Sequence, residues 1–233
     1  MDEASPPAAS VVLVTLDHNC IIALEGNEPA ACHIRHLCAL HARGAVTVRV
    51  TAVGANENLP GGGRLQSFRE FQMRLARLGL GDLNLLKPKG IVGAAFVDYC
   101  VCASDKDGEH QTPPEAAGPN ALETLKPFAV WGAAFWDQCI WADEEDPELL
   151  ETIHEALFGT RNWCIETRRG RNQFCDAMGF WCHVHYGGGI FVTSDVGDFG
   201  KPATRQRLQA LSPCTFEILS PQEAVERLHS LSE

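Results

Sequence analysis

The stretch VVLVTL, Val11–Leu16, runs straight into Asp17-His18-Asn19. It is a continuous apolar run rich in β-branched residues, with no alternation of polar and apolar positions. Such a run reads as a strand buried on both faces, as in a parallel sheet. A second run of this kind, Ile190–Thr193, ends in Ser194-Asp195. In an open parallel sheet, ligands bind outside the carboxyl ends of the strands. Two strands that end in aspartate therefore point to where a site would lie.

Outward from Val11–Leu16, Pro29 suits the first turn of a helix that puts Ala31, Ile34, Cys38 and His41 on one face and stops at Gly44. Val46, Val48 and Val50 alternate with Thr47, Arg49 and Thr51, which predicts a half-buried strand. Gly54 to Gly63 reads as a loop, and Leu65, Phe68, Phe71, Leu75 and Leu78 mark an amphipathic helix. Ile91–Ala103 is β-like and 104–120 reads as a surface loop; the aromatic-rich stretch 122–141 takes no assignment. Asp146-Pro147-Glu148 is a helix start, with Leu149, Leu150, Ile153, Ala156 and Leu157 as its apolar stripe. Arg171–Tyr186 is a further helix, broken by Gly187-Gly188-Gly189. Phe216–Leu219 is a last strand, and Ser220 with Glu223 forms a capping box for the closing helix. Strands alternating with helices predict an α/β three-layer sandwich with a mostly parallel sheet flanked by helices. The expected organisation is a flexible N-terminus (1–10) and one domain (11–233) with an insertion at about 81–169.

Composition bounds the function. The chain has 233 residues, 45% of them hydrophobic and 21% charged, which is a globular balance. No apolar run approaches the roughly 18 residues of a membrane span, and Met1–Ser10 lacks the regions of a signal peptide. Ten cysteines in such a chain are expected as thiols in a reducing cytoplasm. The net charge of −11 disfavours a nonspecific DNA coater. It is compatible with a metal nuclease, because a carboxylate cluster is itself acidic.

The acids are ordered. Asp17 and Asp195 end two strands, and Asp198 follows three residues later. Asp176 lies on the helix that feeds the second strand, with Asn172 one turn earlier on the same face. Glu57 follows the Val46–Thr51 strand, with Glu25 and Glu28 as rivals for its place. Carboxylates converging in one crevice repel one another unless cations sit between them. Hard ions such as Mg²⁺ or Mn²⁺ take oxygen ligands and activate water beside a phosphate.

These residues carry a family resemblance. LDHNCIIAL, Leu16–Leu24, resembles the opening strand and turn of PIN-domain ribonucleases. FVTSDVGDF, Phe191–Phe199, resembles their late motif, Asp176 their helix aspartate, and FEILSPQEAVERL, Phe216–Leu228, their final strand and helix. The resemblance implies a Mg²⁺- or Mn²⁺-dependent endonuclease acting on single-stranded RNA, in a family rich in toxins paired with antitoxins. It implies Asp17, Asp176 and Asp195 as the catalytic acids holding the metal, with Asp198 and Glu57 as further metal ligands. Asn19, Asn172 and Ser194 are the expected polar supports. Arg168, Arg169 and Arg171 are the expected substrate contacts, and an antitoxin-like protein or a second copy of the chain are the candidate protein partners. The chain departs from the family at His18, where a small hydroxyl residue is common, and in the long middle segment.

Competing readings attach to the same residues. A single aspartate after a strand is ordinarily a turn residue or helix cap. Arg161, with Arg168, Arg169 and Arg171, reads as a solvated loop or as phosphate contact, and Arg64, Arg69, Arg74 and Arg77 read as a wet helix face or as an RNA path. Cys175, Cys182, His183 and His185, like Cys32, His33, His36 and Cys38, match no paired zinc spacing and read as buried thiols and ordinary histidines. Cys100 with Cys102, and Trp131, Phe135, Trp136 and Trp141, read as packing. The rival enzyme is a haloacid-dehalogenase-type phosphatase, with Thr51 and Lys87 or Lys89 in its middle motifs. Asn19 stands where that family wants a second aspartate. A non-cleaving PIN-like module that binds RNA or protein is the other alternative.

Overall fold

The computed structural model describes residues 11–57, 65, 68–86, 145–162, 167–195, 197–211 and 216–231. The expectations for the N-terminus, the insertion between 87 and 144, Arg64, Lys87, Lys89, the Cys100–Cys102 pair and the tryptophan cluster fall outside these residues. Among the described residues, five strands form one sheet: β1 (Val12–Leu16), β2 (Val46–Thr51), β3 (Asn84–Leu86), β4 (Gly189–Val192) and β5 (Phe216–Leu219). Their order is β3-β2-β1-β4-β5, and every neighbouring pair is parallel.

Seven helices of the described residues connect or flank the strands: α1 (His18–Glu25), α2 (Ala31–Ala42), α3 (Phe68–Arg77), α4 (Glu145–Phe158), α5 (Arg168–His185), α6 (Pro202–Gln209) and α7 (Pro221–Ser230). A 3₁₀ turn, Ala52–Asn56, follows β2. Helices α2 and α7 pack together in one layer, α2 on β2 and α7 on β4 and β5. Helices α4, α5 and α6 form another layer, with α5 on β2 and β4 and α6 on β5. The architecture is the α/β three-layer sandwich expected. No helix of the described residues is long and apolar enough to cross a membrane.

The central strands bury both faces, as their apolar runs require. Val14, Leu16, Val48, Val50 and Phe191 are fully covered. The half-buried reading of β2 is corrected, because Arg49 and Thr51 are buried as well. Burying Arg49 is tolerable because its guanidinium is hydrogen-bonded. It donates to the carbonyls of Tyr186 (2.6 Å) and Gly188 (2.7 Å) and to Thr15 Oγ1 (3.0 Å). Those carbonyls are exposed by the end of α5, where a cation also suits the helix dipole. The three-glycine break has a geometric cause at Gly189. It sits at φ +98, and a Cβ there would collide with the Leu13 carbonyl.

Two starts and one end match the sequence signals closely. Strand β5 covers the predicted residues, and α7 has the full capping box, with Glu223 N to Ser220 Oγ at 3.2 Å and Ser220 N to Glu223 Oε2 at 2.7 Å. Helix α5 begins earlier than predicted, at Arg168, because Thr167 Oγ1 accepts from Gly170 N at 3.0 Å and caps it. Helices α1 and α6 and strand β3 have no counterpart in the sequence reading.

Candidate functional site

The chain direction across the sheet reverses at β1. From β1 it moves outward through β2 to β3, and it later returns on the other side of β1 as β4. A crevice opens at the carboxyl ends where strand order switches in this way. Leu16 pairs with Val192, and Asp17 N donates to the Val192 carbonyl at 2.9 Å. The residues just beyond the two strands, Asp17 and Thr193, therefore stand side by side.

Asp17 does two things at once. It is the N-cap of α1, its Oδ1 accepting from His18 N at 2.8 Å. This is the ordinary helix-cap reading, realised. Its Oδ2 accepts from Thr193 Oγ1 at 2.8 Å and from Asn19 Nδ2 at 3.1 Å. Asn19 is thus the polar support expected of it. Ser194 is not. Strand side chains alternate between faces, so Thr193 turns toward Asp17 while Ser194 lies beside the Cys20 thiol. The hydroxyl on Asp17 was legible in principle, from lining up Leu16-Asp17 against Val192-Thr193.

Thr193 Oγ1 also accepts from Asp195 N at 3.0 Å, which links the two aspartates through one hydroxyl. Asp195 in turn accepts from Gly197 N (2.6 Å) and Asp198 N (3.2 Å), so its carboxylate organises its own loop. Asp198 lies at the more open edge, 3.3 Å from Lys201 Nζ.

Asp176 and Glu57 complete the set. Helix α5 packs on the 3₁₀ turn and on β2, which brings Asp176 toward the residue that follows that turn, Glu57. Burial pushes the Asp17 carboxyl up, against the lowering effect of its hydrogen bonds, and the charge of Asp195 adds to the rise. Burial also holds Glu57 well above the usual range, reinforced by Asp176 and Asp17. Asp176 is raised well for the same first cause, then by Asp17, Asp195 and Asp198. The five expected acids thus form one mutually repelling group. Of the rivals, Glu28 is exposed, and Glu25 is taken by a bidentate pair with Arg74 at 2.6 Å on both oxygens.

Arg74 was expected on a wet helix face and is instead buried. Its Nη1 also reaches His18 Nε2 at 3.4 Å, and its charge lowers the Glu57 carboxyl, opposing the larger effects that raise it. His18 is fully buried, and burial, then the Arg74 charge, push its ring down to about 3, so it is neutral. With a neutral ring, the 4.0 Å approach of Glu57 is not an ion pair. His18 therefore does not present itself to a ligand. It is a packed platform, seated so closely on Gly54 that a Cβ there would overlap its Nδ1. No sequence signal pairs Arg74 with Glu25 across 49 residues.

Among the described residues, no three of His, Cys, Asp or Glu stand close enough together to enclose a metal ion. The donor chemistry still suits a hard cation: five carboxylates, three of them raised by burial and by one another. Mg²⁺ keeps several waters and is usually held by only one or two carboxylates, so an open set is no mismatch for it.

Arg168 and Arg169 are exposed in the first turn of α5, two turns before Asp176 on the same helix. Arg171 follows on that helix, and Asn172 lies one turn before Asp176, half-buried. Arg161 is paired with Glu155 at 2.7 Å. Cys175, Cys182 and His183 are buried, and His185 stacks on Trp181 with ring centroids 4.6 Å apart. The buried-thiol reading is corrected at Cys32, which is exposed, and at Cys38, which is half-buried.

Comparison with known proteins finds no matching family model, no similar curated protein and no similar solved structure.

Proposed function

We propose that this chain is a divalent-metal-dependent endoribonuclease of PIN type that hydrolyses phosphodiesters in single-stranded RNA. The observation that carries the reading is the convergence of Asp17, Asp176, Asp195, Asp198 and Glu57 at the switch point of the sheet, with Asp17, Glu57 and Asp176 raised by burial and mutual repulsion. A fold built for stability alone would not gather mutually repelling acids there. The resemblance of Leu16–Leu24 and Phe191–Phe199 to the family motifs supports the same conclusion.

In this reading Asp17, Asp176 and Asp195 would hold Mg²⁺ or Mn²⁺ partly through the waters the ion keeps, with Asp198 and Glu57 assisting. The ion supplies an activated water and stabilises the charge that develops on the phosphate. Thr193 and Asn19 fix the orientation of Asp17, and the Gly197 and Asp198 amides fix that of Asp195. Arg74 offsets part of the charge on Glu57 while bound to Glu25. Arg168, Arg169 and Arg171 meet the RNA backbone. A cytoplasmic setting, and an antitoxin-like partner or a second copy of the chain, belong to this proposal.

The test is cleavage of end-labelled single-stranded RNA with Mg²⁺ or Mn²⁺, with EDTA, Asp17→Asn and Asp195→Asn alongside. Asparagine also caps helices, so Asp17→Asn keeps α1. We expect cleavage in the wild type, none in EDTA, and a loss of roughly 100-fold or more in each variant, since the ion is worth several kcal/mol at the transition state. Undiminished cleavage by Asp17→Asn would remove the site. A folded wild type that cuts no RNA but releases phosphate from a phosphomonoester would replace the reading with the phosphatase. One that binds RNA without either activity would replace it with the non-cleaving module.

A further inference from the structure

Away from the acidic crevice, the seam between α2 and α7 brings two imidazoles together. His36 is half-buried on α2 and His229 is exposed in the last turn of α7. Their Nε2 atoms face each other at 3.4 Å. The rings do not stack, with centroids 5.4 Å apart and planes tilted by 36°. The two nitrogens are within hydrogen-bonding reach when one ring carries the proton there, but the separation exceeds the roughly 2.7–3.2 Å of N–H···O bonds. Two nitrogens bound tetrahedrally at about 2.0–2.1 Å would be about 3.3–3.4 Å apart, which is the spacing found.

The surroundings suit the same purpose. Both helices are anchored by buried residues, Ile34 and Leu37 on α2 and Ala224 and Leu228 on α7. The two ligands therefore sit on rigid elements. They open on a cavity of about 400 Å³ that Val12, Leu40 and Arg43 also line. The cavity leaves room for waters to complete a coordination shell. The Arg43 guanidinium disfavours a bare cation and favours one carrying an anionic ligand. Cys32, one turn before His36, directs its thiol to the Pro29 carbonyl at 3.2 Å. Among the described residues no third His, Cys, Asp or Glu joins the pair.

We propose that His36 and His229 form a two-imidazole site for a borderline divalent cation of the Zn²⁺, Ni²⁺ or Cu²⁺ class, clamping α2 to α7. Imidazole suits these ions, whereas the carboxylates of the crevice suit Mg²⁺ and Mn²⁺. The proposal is independent of the nuclease reading.

The test is calorimetric titration of the full chain with Ni²⁺, in excess Mg²⁺ to occupy the carboxylates. His36→Gln, His229→Gln and Cys32→Ser are titrated in parallel. Even a residue that only orients a metal ligand is worth about 10- to 100-fold in affinity. Each histidine variant should therefore weaken binding by at least roughly tenfold, and Cys32→Ser should leave it unchanged. Ni²⁺ should raise Tm in the wild type and not in the histidine variants. Absent Ni²⁺ binding, unchanged affinity in both histidine variants, or loss in Cys32→Ser would overturn the proposal. The variants lie at the surface, and their Tm without metal reports that they are folded.

Discussion

At the scale of the residue, Asp17, Asp195 and Asp176 carry their charge in different ways. Asp17 has three hydrogen bonds to steady its charge, and Asp195 has two backbone amides. Asp176 is half-buried, raised by burial, and faces the charges of Asp17, Asp195 and Asp198. In the absence of metal its ionised form opposes folding. Asp176→Asn keeps the shape and removes the charge. We expect the metal-free variant to be more stable than wild type by on the order of 1–2 kcal/mol at pH 8, read from urea unfolding in EDTA, while RNA cleavage is lost. A variant less stable than wild type would show that Asp176 is held by bonds rather than by repulsion. His18 gives the opposite lesson. It looked like a departure at the site and is a neutral, packed ring beneath it, because Gly54 leaves room for it and burial, then the Arg74 charge, keep it uncharged.

At the scale of the element, α5 carries a conflict that function would explain. Its first turn holds Arg168 and Arg169 and no acid. Cations at a helix N-terminus oppose the dipole, at a cost of about 0.3–1 kcal/mol each. The same helix places them toward the carboxyl end of the sheet, two turns from Asp176, where a phosphate backbone would neutralise them. Replacing both with glutamate should raise Tm slightly yet weaken RNA binding, and reduce the slope of log affinity against log salt by about 1.4 on a single strand. Binding measured across a salt series checks this, and an unchanged slope takes the pair out of the RNA path.

The elements also divide by what makes them legible. Strands β1, β2 and β5 and the start of α7 announce themselves through local runs and a capping box. Helix α1 does not: it has only eight residues and starts His18-Asn19-Cys20, all weak helix formers. Strand β3 has three residues, too few for a period. The acidic order was readable because each acid follows a strand or lies on a helix. Supports were readable only where they are local, as Asn19 is to Asp17; Arg49 finds its carbonyls 137 and 139 residues away.

At the scale of the whole molecule, buried titratable groups of two kinds shape stability against pH. His18 and His183 are both held down to about 3 by burial first and a nearby arginine second. A depressed histidine stabilises the fold above its unfolded value near 6.5, and that contribution is lost as pH falls toward 3. Above about pH 6.5 the histidines are neutral in both states and contribute no slope. Asp17, Glu57 and Asp176 are raised, so the folded chain holds their protons longer than the unfolded chain does. Their contribution is greatest at low pH and is lost as pH rises through the folded values. In EDTA, these acids should therefore make stability fall as pH rises through their folded values. An ion held by these carboxylates binds their ionised form, so Mg²⁺ should flatten that fall and stabilise most at the alkaline end. Screening of the −11 net charge would also respond to Mg²⁺, but it would do so equally in Asp176→Asn. The measurement is urea unfolding at pH 6.5, 7.5 and 8.5, with EDTA or Mg²⁺, for wild type and Asp176→Asn. The reading requires the Mg²⁺ effect to grow with pH in wild type and to shrink in the variant. Equal effects in both proteins would mean that Mg²⁺ acts only as a screening ion and that the crevice does not hold it.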